Sequence, residues 1–103
     1  MKKVYFSAGA KTLSMGRGRS EFSEVGTYSL IDSLSDAVTE TVGQVRNLCV
    51  EEAYLANFMG ARFCKQAHLA AFLPSIIPSL EGKPCTRVEA ACASGGVALI
   101  SAI

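Results

Sequence analysis

Three short segments with the character of β-strands alternate along this chain with three predicted helices, and the first two helices have apolar residues at helical spacing. The predicted strands cover residues 3–8, 50–58 and 86–91, and the predicted helices cover residues 29–48, 61–73 and 94–103. Such an alternation is typical of an α/β unit in which a largely parallel sheet is covered by helical layers. It constrains the fold more than any other feature of the sequence.

The clearest of these patterns is the first helix. Between Leu30 and Leu48 the apolar residues recur three and four positions apart, so that one face of a helix is apolar and the other polar. Asp32 near its start and Arg46 near its end also suit the helix dipole. The second helix is expected to bend or end at Pro74, and the segment 74–85, which holds all three prolines and Gly82, is expected to be a loop that can include one helical turn.

The composition excludes several classes of protein. A chain of 103 residues with 50% hydrophobic and 18% charged residues is globular material of one small domain at most. Its formal charge of +1 gives no reason to expect binding to nucleic acid or to an anionic membrane surface. The one basic patch, residues 11–19 with Lys11, Arg17 and Arg19, is interpreted as a solvated loop, with contact to an anionic ligand as the alternative.

The apolar runs indicate the compartment of the protein, and the spacing of the cysteines and the histidine indicates whether it binds a metal. No stretch approaches the roughly 20 apolar residues of a membrane span, and the first apolar run is too short for a signal peptide, so we predict a cytoplasmic protein without a membrane span. Cys49, Cys64, Cys85 and Cys92 are too far apart for paired metal ligands, and His68 has no partner at metal spacing. We predict neither a metal site nor a disulfide framework.

Cys92 is the candidate for chemistry, because it lies where the third strand ends and the third helix begins. Reactive groups collect at the carboxyl ends of parallel strands. Backbone amides at a helix N-terminus favour a thiolate, and the Cys92 N–H can donate to a developing oxyanion. The neighbouring Ala91, Ala93, Gly95 and Gly96 are small, which permits a sharp turn and the approach of a bulky acyl thioester.

The alternative interpretation is that Cys92 is a small buried hydrophobic residue at a close helix crossing. One argument against this interpretation comes from Gly95 and Gly96. Two adjacent glycines in the first turn of a helix cost up to about 1 kcal/mol each in stability, so stability alone does not explain them. Ser94 is a candidate helix cap in either case. The residues alone leave both interpretations of Cys92 open.

Two stretches resemble a known family. RVEAACASGGVAL, residues 87–99, resembles the nucleophile segment of the thiolase superfamily. YLANFMGARFCKQAHLAAFL, residues 54–73, resembles the strand, glycine loop and helix that precede it in thiolases of the sterol-carrier-protein type, which include bacterial and archaeal acetyl-CoA acetyltransferases. The resemblance covers nearly the whole chain, and it implies that residues 1–103 are part of a thiolase N-terminal domain that stops just after the nucleophile helix begins.

The resemblance also implies an activity in lipid metabolism. Cys92 would attack an acyl-CoA to form an acyl-enzyme and release CoA, and a second acetyl-CoA would then condense with the acyl group to give a 3-ketoacyl-CoA; thiolysis is the reverse. Coenzyme A thioesters would be substrates, no cofactor would be needed, and the full-length protein would be a homodimer or homotetramer. A histidine, an Asn and His oxyanion site and a second cysteine would come from segments downstream, so we expect the fragment alone to be inactive in the sense that it lacks catalytic turnover.

The remaining candidates are not assigned a catalytic role. Cys49, Cys64 and Cys85 do not match the second catalytic cysteine, and His68, which precedes the nucleophile, is interpreted as a structural residue of the second helix. Two alternatives stay open. One is a ketoacyl synthase, whose nucleophile turn is similar but which loads from an acyl carrier protein; the other is a non-catalytic thiolase-like subunit for lipid binding or assembly.

Overall fold

From residue 30 onward, the helices and strands follow the predicted alternation with shorter elements. A computed structural model describes residues 3–12 and 30–103 of the chain. Its α-helices and strands are α1 (Leu30–Gly43), β1 (Ala53–Ala56), α2 (Gly60–Cys64), α3 (Leu73–Ile76), β2 (Cys85–Val88) and α4 (Ser94–Ser101). Two 3-10 helices, Leu69–Phe72 and Pro78–Leu80, lie on either side of α3. No helix in these described segments is long and apolar enough to cross a membrane.

The described residues divide into two compact units. One comprises residues 6–12 and 30–46, and the other comprises residues 3–5 and 47–103. In the first unit, α1 confirms the predicted amphipathic helix. It ends at Gly43, five residues before Leu48, because the hydrogen bonds from Gln44 N–H to the Thr41 carbonyl and from Val45 N–H to the Val42 carbonyl tighten the chain into turns.

The predicted strand at residues 3–8 is wrong. These residues form neither helix nor strand, and the side chains of Val4, Tyr5 and Phe6 are exposed to 51%, 78% and 81%. Apolar, aromatic composition favours a strand only where a partner strand offers backbone hydrogen bonds. Among the described residues, β1 and β2 form the only sheet and neither pairs with residues 3–8, so this segment has no such partner there.

The sheet of the second unit is parallel, as predicted, and has two strands. Ala53 pairs with Cys85 at its start and Ala56 pairs with Val88 at its end. The Ala53 N–H donates to the Pro84 carbonyl at 3.0 Å, which joins the strands just before their first paired residues. Both carboxyl ends therefore meet at the same edge of the sheet, as parallel pairing requires.

The second helix is divided where a single one was predicted. α2 stops at Cys64, because Lys65 takes a left-handed conformation with φ of 52° that no α-helix continues through. The chain becomes helical again over Leu69–Phe72 and α3. Pro74 lies in the first turn of α3, where its missing N–H costs no hydrogen bond, so it helps to begin a helix instead of ending one.

The hydrophobic core of the second unit lies between the sheet and this helical connection. Its buried side chains are Leu55, Leu69, Ala70, Leu73 and Leu80. Ala70 and Leu80 have no exposed surface at all. The sheet and the core thus form a fixed base for the segment that follows β2.

Candidate functional site

Cys92 lies in the short connection between β2 and α4. β2 ends at Val88, and α4 begins at Ser94, two residues after Cys92. The structure therefore confirms the predicted position between a strand and a helix. The cysteine is free and exposed, so the alternative of a small hydrophobic residue buried at a helix crossing is wrong.

The backbone turns sharply just before Cys92. Ala91 has a φ of 47°, in the left-handed region that non-glycine residues rarely occupy. Two hydrogen bonds close the turn, from Ala93 N–H to the Ala90 carbonyl at 2.9 Å and from Ser94 N–H to the Ala91 carbonyl at 3.2 Å. The chain thereby reverses within a few residues and leaves the cysteine at the surface.

Ser94 reinforces this turn with its side chain. Its Oγ accepts a hydrogen bond from the Ala90 N–H at 2.8 Å and donates one to the Ala91 carbonyl at 2.6 Å. Ser94 is only 5% exposed. The cap position of α4 belongs to Ala93 and carries no side-chain hydrogen bond, so the expectation that Ser94 caps the helix is wrong. Instead, its hydroxyl links the backbone of Ala90 and Ala91 to the first residue of α4 through hydrogen bonds.

The surface over the first turn of α4 is open. A Cβ atom placed on Gly95 or on Gly96 would meet no other atom within 4 Å. Both residues are exposed, so packing against the protein does not require glycine at either position. The absence of side chains here leaves space for a molecule that approaches Cys92 from outside.

The start of an α-helix in general favours a negative charge. The first amides of an α-helix have no partner within the helix, and the helix dipole adds positive potential there. The first turn of α4 carries no acidic side chain that would compete for them. The carboxylate closest in sequence to Cys92, that of Glu89, is engaged in an ion pair with Arg87.

The neighbouring strand contributes one polar residue that sequence reasoning missed. Asn57 follows β1 directly, and its N–H donates to the Val88 carbonyl at 3.4 Å, which extends the pairing to the carboxyl edge of the sheet. In the described part of the chain its buried Oδ1 has no hydrogen-bond partner. Within β1, the Tyr54 hydroxyl donates to the Glu52 carboxylate at 3.0 Å, and this bond raises the pKa of Tyr54 above its usual value.

The other titratable candidates of the sequence are placed elsewhere. Cys49 is exposed, Cys64 and Cys85 are half-buried, and all three are free. His68 is exposed and directly precedes the 3-10 helix Leu69–Phe72, so its predicted position inside a helix is wrong. Within residues 3–12 and 30–103, no group of three or more histidine, cysteine and acidic side chains could hold a metal ion.

The basic segment 11–19 is only partly described. Lys11 is exposed and Thr12 half-buried, and the Thr12 and Ser33 hydroxyls share a hydrogen bond of 2.9 Å. Arg17 and Arg19 lie outside the described residues. The choice between a solvated loop and an anion contact therefore stays a prediction.

Ala91 and Ser94 are the positions whose roles the sequence did not indicate. A left-handed residue is expected from glycine, asparagine or aspartate, and alanine gives no such signal. The signal that could have found Ser94 is its place between a strand and a helix, where a hydroxyl can bond to the backbone three or four residues before it.

The curated proteins that are similar to this chain include two acetyl-CoA acetyltransferases. An acetyl-CoA acetyltransferase of Methanothermobacter thermautotrophicus is 35% identical over 94 residues, which cover 86% of the chain and 24% of that protein. An acetyl-CoA acetyltransferase of Methanocaldococcus jannaschii is 32% identical over 91 residues, again covering 86% of the chain, and 23% of that protein. The chain thus spans about a quarter of the length of either relative.

These similarities confirm the resemblance to archaeal acetyl-CoA acetyltransferases that residues 54–73 and 87–99 indicated. No protein-family model matches the chain. No solved structure matches it significantly.

Proposed function

We propose that this chain is the nucleophile-bearing part of an acyl-CoA acyltransferase of the thiolase type. The single observation that carries the proposal is the exposed Cys92 in the turn between β2 and α4. The similarity to two proteins named acetyl-CoA acetyltransferase supports acetyl-CoA as the acyl donor. The open surface over Gly95 and Gly96 supports the approach of a thioester to the sulfur.

The proposed reaction begins with the Cys92 thiolate. Its sulfur attacks the thioester carbonyl carbon, a carbon–sulfur bond forms, and the π electron pair moves to the oxygen. When the carbonyl re-forms, the bond to the CoA sulfur breaks and CoA leaves as a thiolate that takes a proton from solvent. Amides at the start of α4 would stabilise the oxyanion between these two events.

The second half of the reaction would make or cleave a 3-ketoacyl-CoA. In synthesis, the α-carbon of another acetyl-CoA loses a proton, attacks the acyl-cysteine carbonyl and displaces the Cys92 sulfur. The acid and base for this step would belong to the polypeptide that corresponds to the remaining three quarters of the relatives. A homodimeric or homotetrameric assembly, a cytoplasmic location and the absence of a cofactor are parts of the same proposal.

The test is acetylation of the purified 103-residue chain by acetyl-CoA, followed by tryptic mapping. Cleavage after lysine and arginine, except before proline, places the four cysteines in different peptides, residues 47–62, 63–65, 66–87 and 88–103. We expect an acetyl group in the peptide 88–103 before any appears in the peptide 47–62, which holds Cys49, another exposed cysteine. Cys92→Ser abolishes that acetylation, and the matched control Cys49→Ser leaves it unchanged.

Two results would contradict the proposal. Equal acetylation rates at Cys92 and Cys49 would mean that the turn gives its cysteine no advantage over an ordinary exposed thiol. Absence of acetyl transfer to Cys92 from acetyl-CoA, together with transfer from an acyl carrier protein, would assign the chain to the ketoacyl synthases instead.

A further inference from the structure

We propose that Ser94 is a positioning residue that orients the Cys92 amide toward the oxyanion of the acyl-transfer step. The inference rests on the proposed function, because it requires Cys92 to attack a thioester. Ser94 itself touches neither the sulfur nor the substrate in this scheme. It acts through the peptide unit that joins Ala91 to Cys92.

The hydrogen bonds of Ser94 fix that peptide unit. The Ala91 carbonyl accepts two hydrogen bonds from the same residue, one from the Ser94 Oγ at 2.6 Å and one from the Ser94 N–H at 3.2 Å. The Oγ also accepts the Ala90 N–H at 2.8 Å, so the hydroxyl is engaged both as donor and as acceptor. Because Ser94 is only 5% exposed, water has little access to replace these hydrogen bonds.

The direction of the Cys92 amide follows from the direction of the Ala91 carbonyl. In a planar trans peptide the N–H points opposite to the C=O, and the described chain contains no cis peptide bond. Since the carbonyl points toward Ser94 at the start of α4, the Cys92 N–H points away from it. Among the described residues, the backbone hydrogen bonds outside helices and strands include none donated by the Cys92 amide, and Cys92 forms an isolated parallel bridge with Ala90 in the same turn.

The left-handed Ala91 makes this orientation dependent on Ser94. A non-glycine residue in that region is held there against a local cost of about 1–2 kcal/mol. Loss of the hydroxyl removes two of the bonds that hold the turn, and the Ala91–Cys92 peptide unit becomes free to rotate. The amide would then no longer be fixed where charge develops on the attacked carbonyl oxygen.

Two reagents separate orientation of the amide from general exposure of the sulfur. Acetyl-CoA reacts through an oxyanion. Iodoacetamide reacts by direct displacement, in which a carbon–sulfur bond forms as iodide leaves with its electron pair, and no oxyanion appears. A residue that orients an oxyanion donor must affect the first reaction and leave the second almost unchanged.

The experiment measures both rates at Cys92 by tryptic mapping in the 103-residue chain, in Ser94→Ala and in Ser94→Thr. Removal of a complete oxyanion donor slows enzymes about 100- to 1,000-fold, and we expect misorientation in Ser94→Ala to slow acetylation about 10- to 100-fold. Alkylation should change less than about twofold, because no donor acts on it. Ser94→Thr retains a hydroxyl and should restore acetylation to within about threefold of the unmodified chain.

Ser101→Ala is the matched control, because it also removes a serine hydroxyl from α4. The Ser101 Oγ donates to the Val97 carbonyl at 2.8 Å and lies on the exposed end of the helix. Both rates should remain those of the unmodified chain in this variant. A fall in acetylation equal to that of Ser94→Ala would overturn the proposal, because any lost hydroxyl on the helix would then suffice.

The outcomes also distinguish failure of this inference from failure of the proposed function. If the unmodified chain acetylates at Cys92 and Ser94→Ala acetylates as fast, the inference on Ser94 is wrong and the proposed function stands. If Ser94→Ala loses both reactions in parallel, the residue is merely structural and the inference is again wrong. If Ser94→Ala unfolds, Ser94→Thr decides: slow acetylation with normal alkylation there contradicts the inference. If the unmodified chain is not acetylated at Cys92, both the proposed function and the inference on Ser94 are wrong.

Discussion

Gly60, the first residue of α2, has no room for a side chain. A methyl group built on it would overlap the Asn57 amide group and the Leu69 side chain. Gly60 is buried, and Leu69 belongs to the hydrophobic core. The close approach of backbone to side chains at this position therefore explains the glycine of the ANFMGAR stretch by packing alone.

Gly60→Ala should lower the free energy of unfolding by about 1–3 kcal/mol, the usual range for an overpacked core position. Urea denaturation followed by circular dichroism measures the difference. Gly96→Ala is the matched control, because its new methyl group meets open space and alanine favours a helix over glycine by up to about 1 kcal/mol. A Gly60→Ala chain as stable as the Gly96→Ala chain would show that the contacts with Asn57 and Leu69 relax without cost.

At the scale of elements, the core and α4 differ in how much of their apolar surface is covered. Leu80, at the end of a 3-10 helix, has no exposed surface, whereas Leu99 on α4 is 46% exposed. Ile100 and Ile103, at the end of the chain described here, are exposed to 75% and 71%. The second unit therefore draws its stability from the core below the sheet more than from α4.

Leu80→Ala should lower the free energy of unfolding by about 2–5 kcal/mol, because it leaves a cavity in the core. Leu99→Ala removes the same atoms from a half-exposed site and should cost less than about half as much. Urea denaturation at one pH compares the two variants with the unmodified chain. Equal losses would contradict the division between a stabilising core and a weakly packed α4.

The elements also show where the sequence was sufficient. The sequence predicted α1 from its periodicity and α4 from its place after the third strand, and each helix forms its hydrogen bonds within one continuous segment. The helix predicted over 61–73 failed at Lys65, since a left-handed lysine leaves no mark on the apolar spacing. The strand predicted over 3–8 failed for a different reason: a strand depends on a partner that lies elsewhere in the chain.

At the scale of the whole molecule, the 103-residue chain covers about a quarter of either similar protein. We expect it to show no acetoacetyl-CoA thiolysis above the rate of Cys92→Ser, because condensation and thiolysis need an acid and a base besides the nucleophile. The measurement is the loss of acetoacetyl-CoA absorbance in the presence of CoA, with a full-length acetyltransferase as positive control. Multiple turnovers by the 103-residue chain that Cys92→Ser abolishes would show that no further segments are required.

The candidate site was predictable in position and less so in its internal contacts. Cys92 could be located from sequence, because strand and helix patterns meet there and small residues surround it. The roles of Ala91 and Ser94 could not, because they depend on one left-handed dihedral angle and on hydrogen bonds of a side chain to the backbone. Such contacts are set by the local turn, which has no periodicity to detect.

The left-handed alanine before Cys92 has a consequence for the timing of conformational change. Glycine at position 91 would adopt the same φ of 47° without steric cost, but it would also visit many other conformations. With alanine, the unfavourable torsion is established when the protein folds, and the backbone around the sulfur has little left to reorganise when a substrate arrives. The turn is in this sense preorganised. The free-energy cost of the strained torsion lowers the stability of the folded protein, and it does not add to the activation barrier of the reaction.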